Sequence, residues 1–138
     1  ERDEILVLKS SGPGKFNPIK IKEGEKINAD DRVLSIMRYK NSFELNKDKL
    51  SEFISGDNLS EVFILRTWQR GDRFYPLGLK GSKKVSDFLN EQKIPSILKR
   101  NQLVLTNKNR IVWVLGLRLD DRFKILKKTK KVLQLCLK

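Results

Sequence analysis

Val62-Phe-Ile-Leu-Arg-Thr-Trp-Gln-Arg-Gly-Asp-Arg-Phe-Tyr-Pro-Leu-Gly-Leu-Lys-Gly-Ser-Lys-Lys84 is the stretch on which the reading of this chain turns. Its first residues, Val62 to Arg66, are apolar and partly β-branched, which predicts a central strand. From Arg66 the composition changes abruptly. Six cations (Arg66, Arg70, Arg73, Lys80, Lys83, Lys84) stand against one carboxylate, Asp72, with three aromatics and three glycines among them. Glycine lets the backbone turn through φ > 0 and lets a partner approach closely. Such a loop suits a partner that is negative and flat-faced, and nucleic acid is both. Phe74 is expected to fold back and anchor the loop. Trp68 and Tyr75 are open between anchoring and stacking on bases. Asp72, flanked by Arg70 and Arg73, is expected to orient an arginine or cap the loop.

Downstream, Ser82 reads as the N-cap of a helix from Lys83 to about Gln92, with Val85, Phe88 and Leu89 at i, i+3 and i+4 as its buried face. Lys83 and Lys84 would then sit in the first turn, where the helix dipole disfavours cations but free N–H groups suit phosphate. Pro95 suits the start of a second short helix reaching about Arg100. Leu103-Val-Leu105 and Arg110 to Leu115 flank Asn107-Lys-Asn109, which reads as a β-hairpin. Ile111 to Leu115 is apolar on both faces and should be deeply buried, Trp113 included. Lys124 to Lys131 is a basic segment, open between phosphate contact and a solvated sheet edge that lysines protect. Val132 to Leu137 reads as a last strand.

Upstream the signals are weaker. Ile5 to Leu8, Ile19 to Lys22, Arg32 to Tyr39 and Phe43 to Leu45 read as strands, separated by turns at Ser10–Gly14 and Glu23–Glu25. Asp48 is expected to cap a helical turn through Leu50, Phe53 and Ile54, ended by Gly56. The whole pattern predicts an α+β fold: a small, mostly antiparallel module with two short helices, preceded by a β-rich segment. The proposed division is a preceding segment or subdomain at 1–59 and a C-terminal domain at 60–138.

Charge divides the chain in the same place. Net charge is +13 over 138 residues. Residues 1–65 carry 11 Lys/Arg and 12 Asp/Glu, whereas residues 66–138 carry 19 and 5, a net of +14. A solubilising excess is the alternative reading, but it has no reason to respect a boundary at Arg66. The sequence has no histidine, which removes His-based acid–base chemistry, His-activated nucleophiles and His-ligated metals. Asp120-Asp121 lies between Arg118 and Arg122 and is expected to form local ion pairs rather than hold Mg²⁺. The single cysteine, Cys136, excludes an intramolecular disulfide and reads as a small core hydrophobe. No apolar run approaches the ~20 residues of a membrane span, so a soluble cytoplasmic setting without membrane contact is expected. The start at Glu1 without Met suggests a piece of a longer protein.

The segments Leu65 to Gly78, Lys80 to Leu89, Lys93-Ile-Pro95, Arg100, Ile111 to Gly116 and Arg118-Leu-Asp-Asp-Arg122 resemble, in order and spacing, the C-terminal domain of bacterial tRNA(Ile)-lysidine synthase. The likeness covers about residues 60–138; residues 1–59 resemble the variable stretch before that domain. It implies a parent ligase that uses ATP and Mg²⁺ to attach lysine to the wobble cytidine of the isoleucine tRNA with a CAU anticodon. That chemistry belongs to an N-terminal PP-loop domain whose Ser-Gly-Gly-x-Asp-Ser motif is absent here. The fragment itself is therefore expected to be non-catalytic and free of cofactors. Its implied role is to grip the tRNA body and acceptor stem, and its fold is expected to be similar to a domain of the phenylalanyl-tRNA synthetase β chain. Arg66, Arg70, Arg73, Lys80, Lys83, Lys84, Arg100, Arg118 and Arg122 are the expected contacts, arginines as forks and lysines as point charges. Arg66 has Asp72 as a competing partner. Two other readings use the same charges: a general RNA-binding module, and a basic face that docks on the parent's own catalytic domain.

Overall fold

The computed structural model describes residues 16–40 and 50–138. The strands expected at Ile5–Leu8 and Phe43–Leu45, the Ser10–Gly14 turn and the Asp48 cap lie outside the described residues. Eleven strands and two short α-helices are described. A five-stranded sheet has the order β1 (Ile19–Lys22), β5 (Val62–Thr67), β8 (Leu103–Asn107), β9 (Arg110–Val114), β10 (Arg118–Leu119). A four-stranded sheet has the order β2 (Lys26–Ala29), β3 (Arg32–Arg38), β11 (Val132–Leu137), β4 (Leu50–Ser55). A ribbon pairs β6 (Arg73–Phe74) with β7 (Lys83–Lys84), and every pairing is antiparallel.

The two larger sheets face each other. Period-2 alternation sends Phe63, Leu65 and Thr67 of β5 inward, and Leu133, Leu135 and Leu137 of β11 toward them. Leu34, Ile36 and Ile54 join from the second sheet, and Leu103, Leu105 and Trp113 from the first. A smaller core lies on the other face of the five-stranded sheet. There α1 (Val85–Glu91) places Val85, Phe88 and Leu89 against Phe74, Val104, Ile111 and Val114. Strand β8 is thus buried on both faces, as its unbroken apolar run requires.

A bulge makes β9 serve both cores. Leu105 pairs with Trp113 but Thr106 pairs with Ile111, so Val112 is the extra residue. Val112 and Trp113 consequently share the inter-sheet face, while Ile111 and Val114 point to the helix layer. The β8–β9 hairpin closes through Lys108 and Asn109, with φ of 52° and 64°. Of the expected turn residues, Asn107 is buried in the strand instead. Its side chain accepts from the Ser60 amide and donates to the Ser60 and Val62 carbonyls.

Four expectations change. Leu50–Ser55 is strand, because it pairs along β11 from Leu50↔Leu137 to Val132↔Ser55, leaving no helical turn. Gly56 is no helix terminator: a Cβ there would come within 3.0 Å of Leu133 Cγ, so close packing demands the glycine. Lys83 and Lys84 are extended and paired with Phe74 and Arg73, so α1 starts only at Val85, and Ser82 does not cap it. The Val85 amide donates to the Asp72 carbonyl instead. Cys136 is half-buried on the outer face of β11, beside the Ser51 hydroxyl at 3.7 Å, and does not enter the core. Strand β2 adds an edge that the sequence pattern does not announce. The second helix, α2 (Ser96–Lys99), follows Pro95 as expected.

Residues on both sides of position 60 share both sheets. β1 pairs with β5, and β3 and β4 flank β11. Asp57, in the β4–β5 connection, adds a latch. Its carboxylate accepts from the Lys130 and Lys131 amides at 2.9 and 3.0 Å. The Lys130 amide, before the Lys131 amide and the two ammonium charges, holds the Asp57 carboxyl below its ordinary 3.8. A lowered folded value stabilises the fold above the unfolded pKa, and that contribution fades as pH falls through the folded value. Asp57→Asn should therefore melt at a lower temperature than the wild-type chain at pH 7, and thermal scans should show the gap closing as the pH is taken below 3.8.

Candidate nucleic-acid interface

The basic stretch is shaped by two carboxylates. Arg66, near the end of β5, donates from Nη1 to Asp72 Oδ2 at 2.9 Å and from Nη2 to Oδ1 at 3.2 Å. The same Oδ2 accepts from the Gln69 amide at 2.7 Å, and the Asp72 amide donates to the Gln69 carbonyl at 3.0 Å. Gly71, at φ +93°, completes this turn in a conformation that side chains disfavour. The fork-on-carboxylate pair is about five-sixths buried on each side, so water does little to loosen it. Arg66 thus fixes the loop, and Arg70 projects from its tip.

Asp120 holds the far end. It is fully buried, and Oδ2 accepts from the Tyr75 amide at 2.8 Å. Arg122 donates to it from the backbone amide (2.8 Å), Nε (3.0 Å) and Nη2 (2.9 Å). Around this centre the Asp121 amide donates to the Tyr75 carbonyl (2.6 Å) and the Leu77 amide to the Leu119 carbonyl (2.9 Å). The Arg122 guanidinium lies 4.5 Å from the centre of the Tyr75 ring. Asp121 pairs with Lys124 at 3.2 Å. Both acids of the Asp120-Asp121 pair thus form the local ion pairs expected of them. The importance of Asp120 as a hub was not read from the sequence; the available signal was an acid following an apolar strand, two residues from arginines on both sides.

Between these anchors the β6–β7 ribbon is pinned by Phe74, which is fully buried and meets Phe88 edge-on at 5.2 Å. Arg73 and Lys84 stand directly opposite each other across the ribbon, both exposed. Like charges in that position destabilise a strand pair. Trp68 is half-buried against the helix-side core; its amide donates to the Gln102 carbonyl (3.0 Å) and its indole N–H to the Lys99 carbonyl (2.6 Å). This ties the loop to α2 and places Arg100 beside it.

The nine expected contact residues therefore fall into two groups. Five are held by the fold: Arg66 by Asp72, Arg73 by the Ser82 hydroxyl (3.1–3.2 Å), Lys83 by Glu91, Arg118 by the Leu77 carbonyl (3.1 Å), and Arg122 by Asp120. Arg118 also lies 5.6 Å from the Phe88 ring centre. The other four, Arg70, Lys80, Lys84 and Arg100, are exposed, and their side chains have no hydrogen-bond or ion-pair partner among the described residues. Tyr75 is 39% exposed and Trp68 has its N–H committed, so of the two aromatics Tyr75 has the more accessible ring. Among the described residues no group of three or more His, Cys, Asp or Glu could hold a metal ion, and no helix is long and apolar enough to cross a membrane.

Fold and surface together define a β-sandwich domain that carries a cationic, carboxylate-braced loop layer on one sheet. The model of the TilS substrate C-terminal domain matches residues 63–135, and the chain belongs to that family. A tRNA(Ile)-lysidine synthase of Parabacteroides distasonis is 42% identical over 91 residues, covering 66% of this chain and 21% of that protein. One from Clostridium perfringens strain 13 is 30% identical over 121 residues, covering 84% and 26%. The chain thus spans about a fifth to a quarter of the length of these curated relatives. A crystal structure of a TilS C-terminal domain shares the fold, with a TM-score of 0.69 at 19% identity over 88% of this chain and 97% of that one.

Removing the Asp120 carboxylate leaves a fork-shaped cation and an inward N–H without partners. Asp120→Ala should destabilise the chain by about 3 kcal/mol, the lower end for breaking a buried pair because Arg122 is a third exposed. Arg70→Ala, which breaks nothing, should change stability by less than about 0.5 kcal/mol. Urea titration of both variants measures the contrast.

Proposed function

We propose that this chain is the tRNA-recognition domain of a tRNA(Ile)-lysidine synthase. In this reading it grips the body and acceptor stem of the isoleucine tRNA in the cytoplasm. An N-terminal PP-loop domain of the same protein binds ATP and Mg²⁺ and joins lysine to the wobble cytidine of the CAU anticodon. The observation that carries the reading is the set of cations without a partner among the described residues, Arg70, Lys80, Lys84 and Arg100, displayed on a loop layer that Asp72 and Asp120 hold in shape. Rigid presentation matters because ordering long side chains and loops weakens association. The directly opposed Arg73 and Lys84 support it further: a polyanion between them turns a repulsion into two attractions.

A-form stems offer phosphates and 2′-hydroxyls across a wide, shallow minor groove, and their deep groove is closed to side chains. The arginine forks suit bidentate phosphate contacts, and the lysines add charge without fixed geometry. Arg66 and Arg122 act in this scheme as positioning residues, since their forks are already engaged by carboxylates.

The test is a salt series. Affinity of the chain for isoleucine tRNA should fall steeply as salt rises. The combined Arg70→Ala, Lys80→Ala, Lys84→Ala, Arg100→Ala variant should show a slope shallower by roughly one unit for each phosphate that it no longer neutralises. An unchanged slope and affinity in that variant would remove this surface from RNA binding. Weakened association with the catalytic domain instead would identify the surface as an intramolecular dock.

A further inference from the structure

The segment Lys124-Ile-Leu-Lys-Lys-Thr-Lys-Lys131 holds five lysines in eight residues and no acid. It runs from the 3-10 turn at Asp121–Phe123 to β11, outside the stretch that carries the recognition surface above. A solvated charge run has no need of a fixed backbone, yet this one is fastened along its length. The Lys130 and Lys131 amides donate to the Asp57 carboxylate, and the Gly56 amide donates to the Lys131 carbonyl at 2.7 Å. The Leu126 amide donates to Thr129 Oγ1 at 2.8 Å, the Thr129 amide returns to the Leu126 carbonyl at 3.0 Å, and Thr129 Oγ1 meets Ser55 Oγ at 3.3 Å. Gly56 allows the approach, since a Cβ there would come within 3.1 Å of the Lys131 side chain.

The lysines at the two ends are neutralised: Lys124 by Asp121 at 3.2 Å and Lys131 by Glu23 at 2.5 Å. The three between them, Lys127, Lys128 and Lys130, are exposed and form no side-chain hydrogen bond or close ion pair among the described residues; the Lys130 ammonium acts on Asp57 only through its charge. Like charges this close along the chain repel one another over a Debye length of about 8–10 Å.

We propose that Lys127, Lys128 and Lys130, presented by the Asp57 latch, form a second phosphate-contact element that engages the backbone of the same RNA. The proposal rests on the tRNA-binding reading. Lys127 follows Arg122 by five positions, which limits their Cα separation to about 18 Å, so the lysine loop lies close to the Tyr75–Arg122 corner of the loop layer. Contact by flexible ammonium groups is indifferent to sequence, so this element supplies affinity and register, not base selection. Fixed loop geometry reduces the ordering cost when the backbone docks.

Asp57→Asn gives the decisive sign. It removes a negative charge, so a diffuse electrostatic attraction would bind RNA more tightly. The latched element instead predicts weaker binding, because Asn offers one acceptor oxygen where the carboxylate holds both the Lys130 and Lys131 amides, while every lysine remains. Binding of isoleucine tRNA is to be measured across a salt series for the full chain, for Asp57→Asn, for the Lys127→Ala, Lys128→Ala, Lys130→Ala variant, and for Arg70→Ala, Lys84→Ala. Circular dichroism confirms folding in each.

The expected result is a slope shallower by about two to three units in the triple variant and a several-fold weaker affinity for Asp57→Asn. An unchanged triple variant, with the Arg70/Lys84 variant weakened, overturns the second element and leaves the recognition reading in place. A weakened triple variant with tighter binding by Asp57→Asn overturns the latch and reduces the lysines to diffuse charge. Absence of RNA binding by the wild-type chain overturns both readings. Normal RNA binding by the triple variant, with weakened association to the catalytic domain, assigns the loop to an acidic protein surface and overturns the proposal.

Discussion

A carboxylate with no access to water, Asp120, governs the architecture of the loop layer. An isolated buried charge would cost several kcal/mol even after relaxation. Asp120 avoids this by collecting four N–H donors, three of them from Arg122 and one from the Tyr75 amide. Its own amide donates to the carbonyl of Val112, the residue inserted by the bulge in β9. An irregularity inside the sandwich therefore sets where a surface loop is tied. The chain from Val112 through Asp120 to Tyr75 couples the core directly to the cationic layer.

Asp72 repeats the logic at lower burial. Both carboxylates take arginine forks out of circulation and convert them into struts. A loop this rich in cations would otherwise splay from self-repulsion. Neutralising some of them internally is what lets the remaining ones be held close together. The count of positive residues in the sequence thus overstates the charge available to a partner, and the structure separates struts from free ends.

Much of this was legible in the residues. The apolar runs at Val62–Arg66, Leu103–Leu105 and Val132–Leu137 lie in strands, and the run from Ile111 does so as far as Val114, with Leu115 already in the following turn. The α1 face of Val85, Phe88 and Leu89 is visible in its spacing, and Phe74 anchors as expected. The helix start failed because Ser82 looks like a cap, whereas the partner of Lys83 and Lys84 is the Arg73–Phe74 strand earlier in the chain. Leu50–Ser55 failed for a similar reason: its state is decided by β11, far along the chain, and no local signal contains that pairing. In the site, the arginines stand out in the sequence as special, but their division into held and free depends on which carboxylates fold beneath them. The competition of Asp72 for Arg66 was readable from the sequence alone; the bulge that places Asp120 was not.

The position of β11 also sets a folding order. It is the last strand along the chain, yet it lies between β3 and β4, which do not pair with each other. As the polypeptide leaves the ribosome, the five-stranded sheet and its helix have all their strands available before the four-stranded sheet has its middle. Until residues 132–137 arrive, β3 and β4 each present an open edge, and the apolar faces of Leu34, Ile36 and Ile54 lack their counterpart. Pairings so distant in sequence form slowly, and unpaired edges are where nascent chains associate wrongly. Strand β11 therefore acts as the closing stave of the fold: setting it in place pairs the free edge of β3 and the inner edge of β4, which remains the outer strand of its sheet.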